Sequence, residues 1–200
     1  AIPELPDIGH LIAINTRYLG EAALETNDLP ALRLSIKFFN TFIRIALNTQ
    51  KVRSAYNVLH QYRQLAEKLI AFEQPEILSD VAEHMRYYAQ TALHLHLGFV
   101  TETLAYDLAA LCELAAHKHS PAHDAMLGCL LSIDQAPENE AQELTLRGVR
   151  KAQIKLATAY LDMHNELAAH RIYLDMQHER PERLLSIRDE LLAVHSKDFW

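Results

Sequence analysis

Glycine is scarce in this sequence, with five in 200 residues. That number is too small for the tight turns of an ordinary α/β domain, and β-branched residues are sparse as well. Leucine and alanine dominate instead, and both favour helix. Half of the residues are apolar, which excludes disorder as a description of the whole chain. The composition therefore predicts an all-α protein that forms a single domain over residues 1–200.

Long apolar runs are also missing. The longest segment without Asp, Glu, Lys or Arg covers residues 87–101 and contains His94 and His96. Such a segment is too short and too polar to span a bilayer, so we expect no membrane segment within this chain. The chain begins at Ala1, without an initiator methionine or a signal peptide. We interpret it as a domain excised from a larger protein, and a membrane segment elsewhere in that parent protein is compatible with the sequence.

Basic residues are outnumbered by acidic ones, giving a formal net charge of −7. Binding to a phosphate backbone requires a net basic face, so nucleic acid is excluded as the main partner.

Cysteine is nearly absent. Cys112 and Cys129 each lie inside an apolar helical run, and we interpret both as reduced packing residues. This predicts a cytoplasmic location, which includes the cytosolic part of a membrane protein.

The common catalytic and cofactor-binding motifs do not occur. The sequence contains no glycine-rich nucleotide loop, no Gly-x-Ser-x-Gly, no Cys-x-x-Cys, no His-Glu-x-x-His and no Glu-x-x-His. This absence favours a non-enzymatic role over an enzyme, and it predicts no bound cofactor.

Prolines punctuate the chain at regular distances. Pro30, Pro75 and Pro121 are separated by 45 and 46 residues, and Pro137 and Pro181 by 44. Each stands where a helix can begin, because the missing N–H costs nothing in a first turn. Between consecutive prolines there is room for two helices of about five turns each, the size of a helical-hairpin repeat.

Apolar residues recur at helical spacing throughout, which predicts eight or nine helices stacked as antiparallel hairpins. The predicted segments are 7–26, 28–48, 51–72, 76–97, 101–117, 120–133, 138–163 and 184–194, with one more after a turn at 164–165. We expect Asp28 to cap the second helix, Gly98 to end the fourth and Thr101 to cap the fifth. Segment 138–163 should be the longest helix.

The second helix is apolar over most of its circumference. One stripe contains Leu32, Ile36, Phe39, Ile43 and Leu47, and a second contains Leu34, Phe38, Phe42 and Ile45. A helix of this kind is predicted to be central in the core.

Residues 152–181 contain a family-like pattern. Leu156, Ala157 and Tyr160 are followed by Ala169, Tyr173 and Pro181 at the later small, aromatic and proline positions. This hairpin resembles a tetratricopeptide-type unit over about one 34-residue period. The resemblance implies a right-handed α-solenoid that offers an extended surface to a protein partner.

Histidine is abundant, and His117, His119, His123 and Asp124 form the densest cluster. With His84 upstream, the His-Asp dyad resembles the metal-binding arrangement of HD-domain phosphohydrolases, which are all-helical. That resemblance implies a divalent ion that lowers the pKa of a bound water. The alternative interpretation is structural, with cationic residues at one helix C-terminus and an acidic residue at the next N-terminus. We favour the structural interpretation.

Two helix faces are candidates for binding. His84, Tyr87, Thr91 and His94 share one face, which would suit either a contact between helices or the lining of a ligand-binding sensor.

Arg147, Lys151 and Lys155 share a face of the longest helix. We select these three as the partner-binding residues of a non-enzymatic interaction domain, with a solvated helix face as the alternative.

Overall fold

A computed structural model describes residues 8–133 and 140–176 of the chain. Eight helices and no strand occur within these residues, which confirms the predicted all-α fold. The helices are α1 (Ile8–Glu25), α2 (Leu29–Asn48), α3 (Val52–Ala71), α4 (Pro75–His94), α5 (Gly98–His117), α6 (His123–Leu131), α7 (Glu140–Asp162) and α8 (Glu166–Asp175). Of these, α7 is the longest with 23 residues, as predicted.

Three-residue connectors with one conformation join most consecutive helices. The second residue of each of these connectors has a positive φ angle of 52–58°, and so does the second residue of the five-residue connector after α5. The five that follow α1 to α5 lie 23 residues apart: Asn27, Gln50, Glu73, His96 and His119. The next residue donates its backbone N–H to a carbonyl five residues earlier, as in the 2.8 Å bond from Asp28 to Ala23. This is the Schellman ending of a helix, and the connector after α7 shares it at His164.

The proline spacing follows from this regularity. Helices α2 to α5 have 20 residues each, so two helices and their connectors fill each interval between Pro30, Pro75 and Pro121. Pro30 and Pro75 lie in first helical turns, as predicted. The Asp28 side chain accepts a 3.1 Å hydrogen bond from the N–H of Ala31 and caps α2. Pro121 differs, because it lies in a turn and α6 begins two residues later at His123.

The helices form antiparallel hairpins that stack in two layers. Helices α1, α3, α5 and α7 pack side by side in one layer, and the second layer contains α2, α4 and α6 in the same order. Contacts between neighbours are more extensive in the odd-numbered layer than in the even-numbered one. Since every second helix has the same direction, neighbours within a layer are parallel.

Helix α5, and not α2, is the centre of the stack. It packs against α3, α4, α6 and α7, and its buried residues include Leu104, Leu108 and Cys112. The prediction for α2 was therefore wrong. Its first stripe is buried, but Leu34, Phe38 and Ile45 of the second stripe are exposed and Phe42 is only partly buried. Helical periodicity identified both stripes, but it cannot say whether a neighbouring helix exists to cover each of them.

The boundary between α4 and α5 also differs from the prediction. Helix α4 ends through the left-handed residue His96, and Gly98 is the first residue of α5 instead of the end of α4. Thr101 lies inside α5, where its buried hydroxyl donates a 3.3 Å hydrogen bond to the carbonyl of Ala89 in α4. A Cβ atom on Gly98 would lie 2.6 Å from the hydroxyl oxygen of Thr145. This glycine therefore permits a close approach of α5 and α7.

The α7/α8 hairpin turns where the sequence predicted. Asn165 caps α8 by accepting a 3.3 Å hydrogen bond from the N–H of Ala168. Leu156, Ala157, Tyr160 and Ala169 are buried, whereas Tyr173 is exposed. The predicted loop at 134–137, the predicted helix at 184–194, Glu138, Pro137 and Pro181 lie outside the described residues.

None of the helices in residues 8–133 and 140–176 has the length and hydrophobicity of a bilayer-spanning segment.

Candidate interaction surface

The outward side of the odd-numbered layer is a continuous strip of aromatic and charged side chains. We call it the odd-helix face and define it by residues of four helices: Arg17 and Tyr18 of α1; Tyr56, His60, Arg63, Gln64 and Glu67 of α3; Phe99, Glu102, Tyr106 and Asp107 of α5; Arg147, Lys151 and Lys155 of α7. Side-chain contacts between neighbouring parallel helices hold these residues in register.

An aromatic cluster joins α3 to α5. The ring centroids of Tyr56 and Phe99 lie 5.6 Å apart at an interplanar angle of 41°, and the His60 ring stacks on Tyr56 from one turn further along α3. Tyr56 and Phe99 are both exposed although they are large. Large exposed aromatic side chains fixed by neighbours lose little conformational entropy on binding, which suits them as anchors for a partner.

An ion pair lies next to this cluster. The guanidinium of Arg63 donates a 2.9 Å hydrogen bond to Asp107 on α5 and a 3.0 Å bond to Glu67 on its own helix. Asp107 is buried, and burial raises its pKa above the usual range although the Arg63 charge opposes this. Burial lowers the pKa of Arg63, but its hydrogen bonds to Asp107 and Glu67 outweigh that effect and raise it overall. The position of the Arg63 guanidinium is therefore fixed by its contact with Asp107 of α5.

The strip continues from α5 to α7 through Glu102 and Lys151. Burial raises the pKa of Glu102, and the nearby ammonium group of Lys151 partly offsets the increase. Burial likewise raises the pKa of Tyr106, again opposed by Lys151. The Glu102 side chain lies directly over Gly148, where a Cβ atom would overlap it. The absence of a side chain at Gly148 thus creates the space that Glu102 occupies next to Lys151.

The selected basic residues lie at the α7 end of this strip. Arg147 and Lys155 are exposed and Lys151 is half-buried between its helix and α5. Glu102 of the neighbouring helix is close to Lys151. Arg150 from the same basic run has another role, because it is buried, hydrogen-bonds Gln153 at 2.7 Å and lies 3.7 Å from Asp175. It fixes α8 on α7.

The α1 end of the strip is also held by side chains. Arg17 hydrogen-bonds Gln64 on α3, lies 3.6 Å from Glu21 and places its guanidinium carbon 4.6 Å from the ring centroid of Tyr18. The strip thus extends across α1, α3, α5 and α7 through contacts between adjacent helices.

The histidine cluster is distributed over the end of α5 and the start of α6. His117 is the last residue of α5 and His119 is the left-handed residue of the connector. Both nitrogens of His123 have protein partners, with Nε2 2.7 Å from the Tyr160 hydroxyl oxygen and Nδ1 3.2 Å from an Asp124 carboxylate oxygen.

No three His, Cys, Asp or Glu side chains come together as a metal-ligand group in the described part of the chain. His84, the third residue of the HD-like alternative, is in α4, where its ring stacks on Tyr88 with centroids 6.3 Å apart. The described contacts of His84 and His123 are with protein groups, and the structural interpretation of the cluster stays a prediction.

The two cysteines are buried and free. Burial, together with the nearby Glu83 carboxylate 3.4 Å from its sulfur, raises the pKa of Cys129 to about 12. Burial also raises the pKa of Cys112 well above its usual range, opposed in part by a hydrogen bond with Tyr160. Thiols that stay protonated at neutral pH are poor nucleophiles, so both residues behave as packing groups.

The proposed ligand-binding seam of α4 is a surface feature. Tyr87 and His94 are exposed, and the hydrogen bonds of this face are local to the helix, from Thr91 to the Tyr87 carbonyl at 2.8 Å and between His94 and the Gln90 carbonyl at 2.7 Å. A shallow groove exists elsewhere, between the starts of α2 and α4, and is lined by Leu29, Arg33, Gln74, Pro75, Glu76 and Ile77.

Most residues of the odd-helix face were not predicted from the sequence to form a binding surface. Tyr56, Phe99 and Tyr106 were not selected, although each interrupts the polar side of an amphipathic helix with a large aromatic ring. That interruption is the available signal, and it becomes specific only once α3 and α5 are known to be adjacent and parallel.

Comparison of the chain with protein-family models, curated protein sequences and solved structures found no match.

Proposed function

We propose that this chain is a non-enzymatic helical-repeat interaction domain that binds a protein partner through the odd-helix face. The observation that carries the proposal is the continuity of exposed aromatic and charged side chains across parallel helices, from Tyr56 and Phe99 to Lys151 and Lys155. In a curved two-layer stack, the more closely packed layer lies on the concave side, and the odd-numbered layer is the more closely packed one here. Extended concave faces are the usual binding surfaces of stacked helical hairpins.

The chemistry of the face suggests its partner. Aromatic rings at one end offer apolar anchor sites, and Arg147, Lys151 and Lys155 offer positive charge at the other. An acidic protein segment with one or two large apolar side chains would complement both. Burial of the signature residues Leu156, Ala157 and Tyr160 supports the tetratricopeptide-like interpretation of α7/α8. The free buried cysteines support a cytoplasmic site for binding.

A peptide-display selection against the full chain tests the proposal. We expect enrichment of acidic peptides that contain large apolar residues, with binding weakened by Tyr56→Ala and by Lys151→Glu combined with Lys155→Glu. The charge-reversal effect should decrease as salt increases. The matched control is Lys37→Glu with Lys118→Glu, two exposed lysines away from this face. Enriched peptides that bind the face variants and the control variant equally would contradict the proposal.

A further inference from the structure

A series of side-chain contacts leads from α1 to the aromatic cluster of the odd-helix face. Arg17 of α1 donates a hydrogen bond to the Oε1 atom of Gln64 on α3. The Nε2 atom of the Gln64 amide lies 3.0 Å from Nε2 of His60. The His60 ring stacks on Tyr56 at an interplanar angle of 13°, and Tyr56 contacts Phe99 of α5. These side chains therefore join three parallel helices in one series.

The direction of each hydrogen bond in the series follows from the chemistry of its two ends. A guanidinium group has N–H donors and no acceptor, so Arg17 fixes the Gln64 amide with its oxygen towards α1. The amide nitrogen then faces His60, and an amide nitrogen can only donate. Nε2 of His60 must therefore be the acceptor, which means that the ring is neutral and carries its proton on Nδ1.

Protonation of His60 removes this acceptor. An imidazolium ring has an N–H group on both nitrogens, so a donor of His60 would then face a donor of Gln64. Turning the amide around restores an acceptor for His60 but directs the amide N–H groups at Arg17, which also has only donors. Because the oxygen and nitrogen of the amide face different neighbours, one of the two hydrogen bonds is lost in either arrangement.

The charged groups around His60 come from three helices. Asp107 of α5 faces it across the helix interface: burial raises the pKa of Asp107, and both Arg63 and His60 oppose the increase. Arg63 and Glu67 lie further along α3 and pair with each other at 3.0 Å, and Arg17 brings a positive charge from α1. Helices α2 and α4 pack on the opposite side of α3, in the even-numbered layer.

We propose that the series Arg17–Gln64–His60 is a pH-dependent link between α1 and the aromatic cluster, closed while His60 is neutral and opened by its protonation. Histidine is the side chain that ordinarily changes charge between about pH 5 and pH 8, so the link responds within the physiological range. The stack on Tyr56 is compatible with either state, because an aromatic ring also attracts a cation.

The consequence of this link for binding rests on the proposed function. If the odd-helix face binds an acidic segment, protonation of His60 adds a positive charge directly beside Tyr56, one of the rings that anchor the partner. Binding should therefore become tighter as the pH falls. One exposed charge pair changes an affinity by roughly two- to five-fold.

Nuclear magnetic resonance of the isotope-labelled full chain tests the link without any partner. At about pH 8 we expect the His60 ring to carry its proton on Nδ1. Between about pH 8 and pH 6, the signals of the Gln64 amide and of Arg17 Nε should shift together with those of the His60 ring. A proton on Nε2 of His60 at the higher pH would overturn the inference.

Two variants with the same substitution separate this histidine from the others. His60→Phe keeps an aromatic ring beside Tyr56 but cannot be protonated, so the shifts of Gln64 and Arg17 should disappear. His94→Phe should keep them, because His94 is exposed on α4 and its hydrogen bond is to a backbone carbonyl of its own helix. His60→Gln replaces His60→Phe if that variant does not fold by circular dichroism.

Shifts that persist in the His60 variant would also overturn the inference. The pH response of Arg17 would then come from another group, such as Glu21, whose carboxylate lies 3.6 Å from the Arg17 guanidinium.

An acidic peptide enriched in the display selection tests the consequence for binding. We expect roughly two- to five-fold tighter binding at about pH 6 than at about pH 8 for the wild type, and no such difference for His60→Phe. Equal pH dependence in the two proteins would overturn the regulatory role of His60 and assign it to Asp107. A selection that enriches no acidic peptide would contradict the proposed function, whereas the resonance titration would still decide whether the link exists.

Discussion

The hydroxyl oxygen of Tyr160 lies 2.7 Å from Nε2 of His123, which joins α7 to the first residue of α6. The two rings also meet edge to face, with centroids 5.4 Å apart. Tyr160 is fully buried and hydrogen-bonds the buried thiol of Cys112 as well. One aromatic residue thus connects α5, α6 and α7, and the histidine that suggested a metal site has a structural role in this contact.

Tyr160→Phe should lower the free energy of unfolding by about 1–3 kcal/mol, because the buried Cys112 thiol and the partly buried His123 ring each lose a hydrogen bond while the ring of residue 160 stays in place. Urea denaturation followed by circular dichroism measures the change. Tyr173→Phe is the control on the same hairpin, and we expect a change within about 0.5 kcal/mol because Tyr173 is exposed. Equal effects of the two substitutions would show that the Tyr160 hydroxyl contributes nothing specific.

Asp107→Asn should reveal a pH dependence of stability. Burial raises the pKa of Asp107 in the folded state, so the folded chain binds this proton more tightly than the unfolded chain does. Its contribution to stability is therefore present at low pH and is lost as the pH rises through the folded-state pKa. The unfolding free energy of the wild type minus that of Asp107→Asn should be larger near about pH 4 than near about pH 7.

Urea titrations of both proteins at the two pH values measure this difference, and Asp162→Asn at an exposed position gives the background. A difference that is larger at the higher pH would mean that the Arg63 ion pair outweighs burial and that the Asp107 pKa is lowered instead.

Gln50→Gly should stabilise the fold by about 0.5–1 kcal/mol. Gln50 has a φ angle of 52°, a conformation that costs a residue with a side chain roughly 1–2 kcal/mol, whereas glycine adopts it freely. The greater entropy of glycine in the unfolded chain offsets part of this gain. Thr41→Gly, at an exposed position inside α2, should instead destabilise by about 0.2–0.5 kcal/mol. A loss of stability in Gln50→Gly would contradict the strain assigned to the connector.

Gly20→Ala and Gly128→Ala should change stability in opposite directions. A Cβ atom at Gly20 would lie 2.8 Å from the Ser35 hydroxyl oxygen, which donates a 2.7 Å hydrogen bond to the Thr16 carbonyl. Overpacking at this contact should cost about 1–3 kcal/mol, reduced by the better helix propensity of alanine. At Gly128 the nearest atom would be 3.7 Å away, so only the propensity gain of about 0.5–1 kcal/mol remains. Thermal melts of both variants decide between these effects.

Local signals in the sequence were sufficient to predict most of the helices. Pro30 and Asp28 set the start of α2, and the amphipathic period of each segment predicted the remaining helices to within a few residues. The end of α4 was misplaced because the left-handed position is occupied by His96, although glycine usually fills it. Gly98 instead makes room for Thr145, which belongs to a helix more than 40 residues further along the chain.

The candidate surface could be predicted only in part, for a related reason. The spacing of Arg147, Lys151 and Lys155 is a local property, and the sequence displays it. The approach of Tyr56 to Phe99 and of Arg63 to Asp107 depends on which helices are neighbours, and those pairs are 43 and 44 residues apart. The same limit explains the error about α2, since the burial of its second stripe requires a neighbour that no periodicity can supply.

The 23-residue spacing of the left-handed connectors has a mechanical consequence. Because α2 to α5 have equal lengths and the connectors after α1 to α5 begin with the same geometry, tension applied along this part of the chain meets a series of similar units instead of one indivisible body. A hairpin of two such periods that unfolds under load would release about 150–165 Å of extended chain, at roughly 3.3–3.6 Å per residue. The mechanical load would be shared among the hairpins, and an unfolded hairpin could refold against the exposed face of the neighbouring folded one.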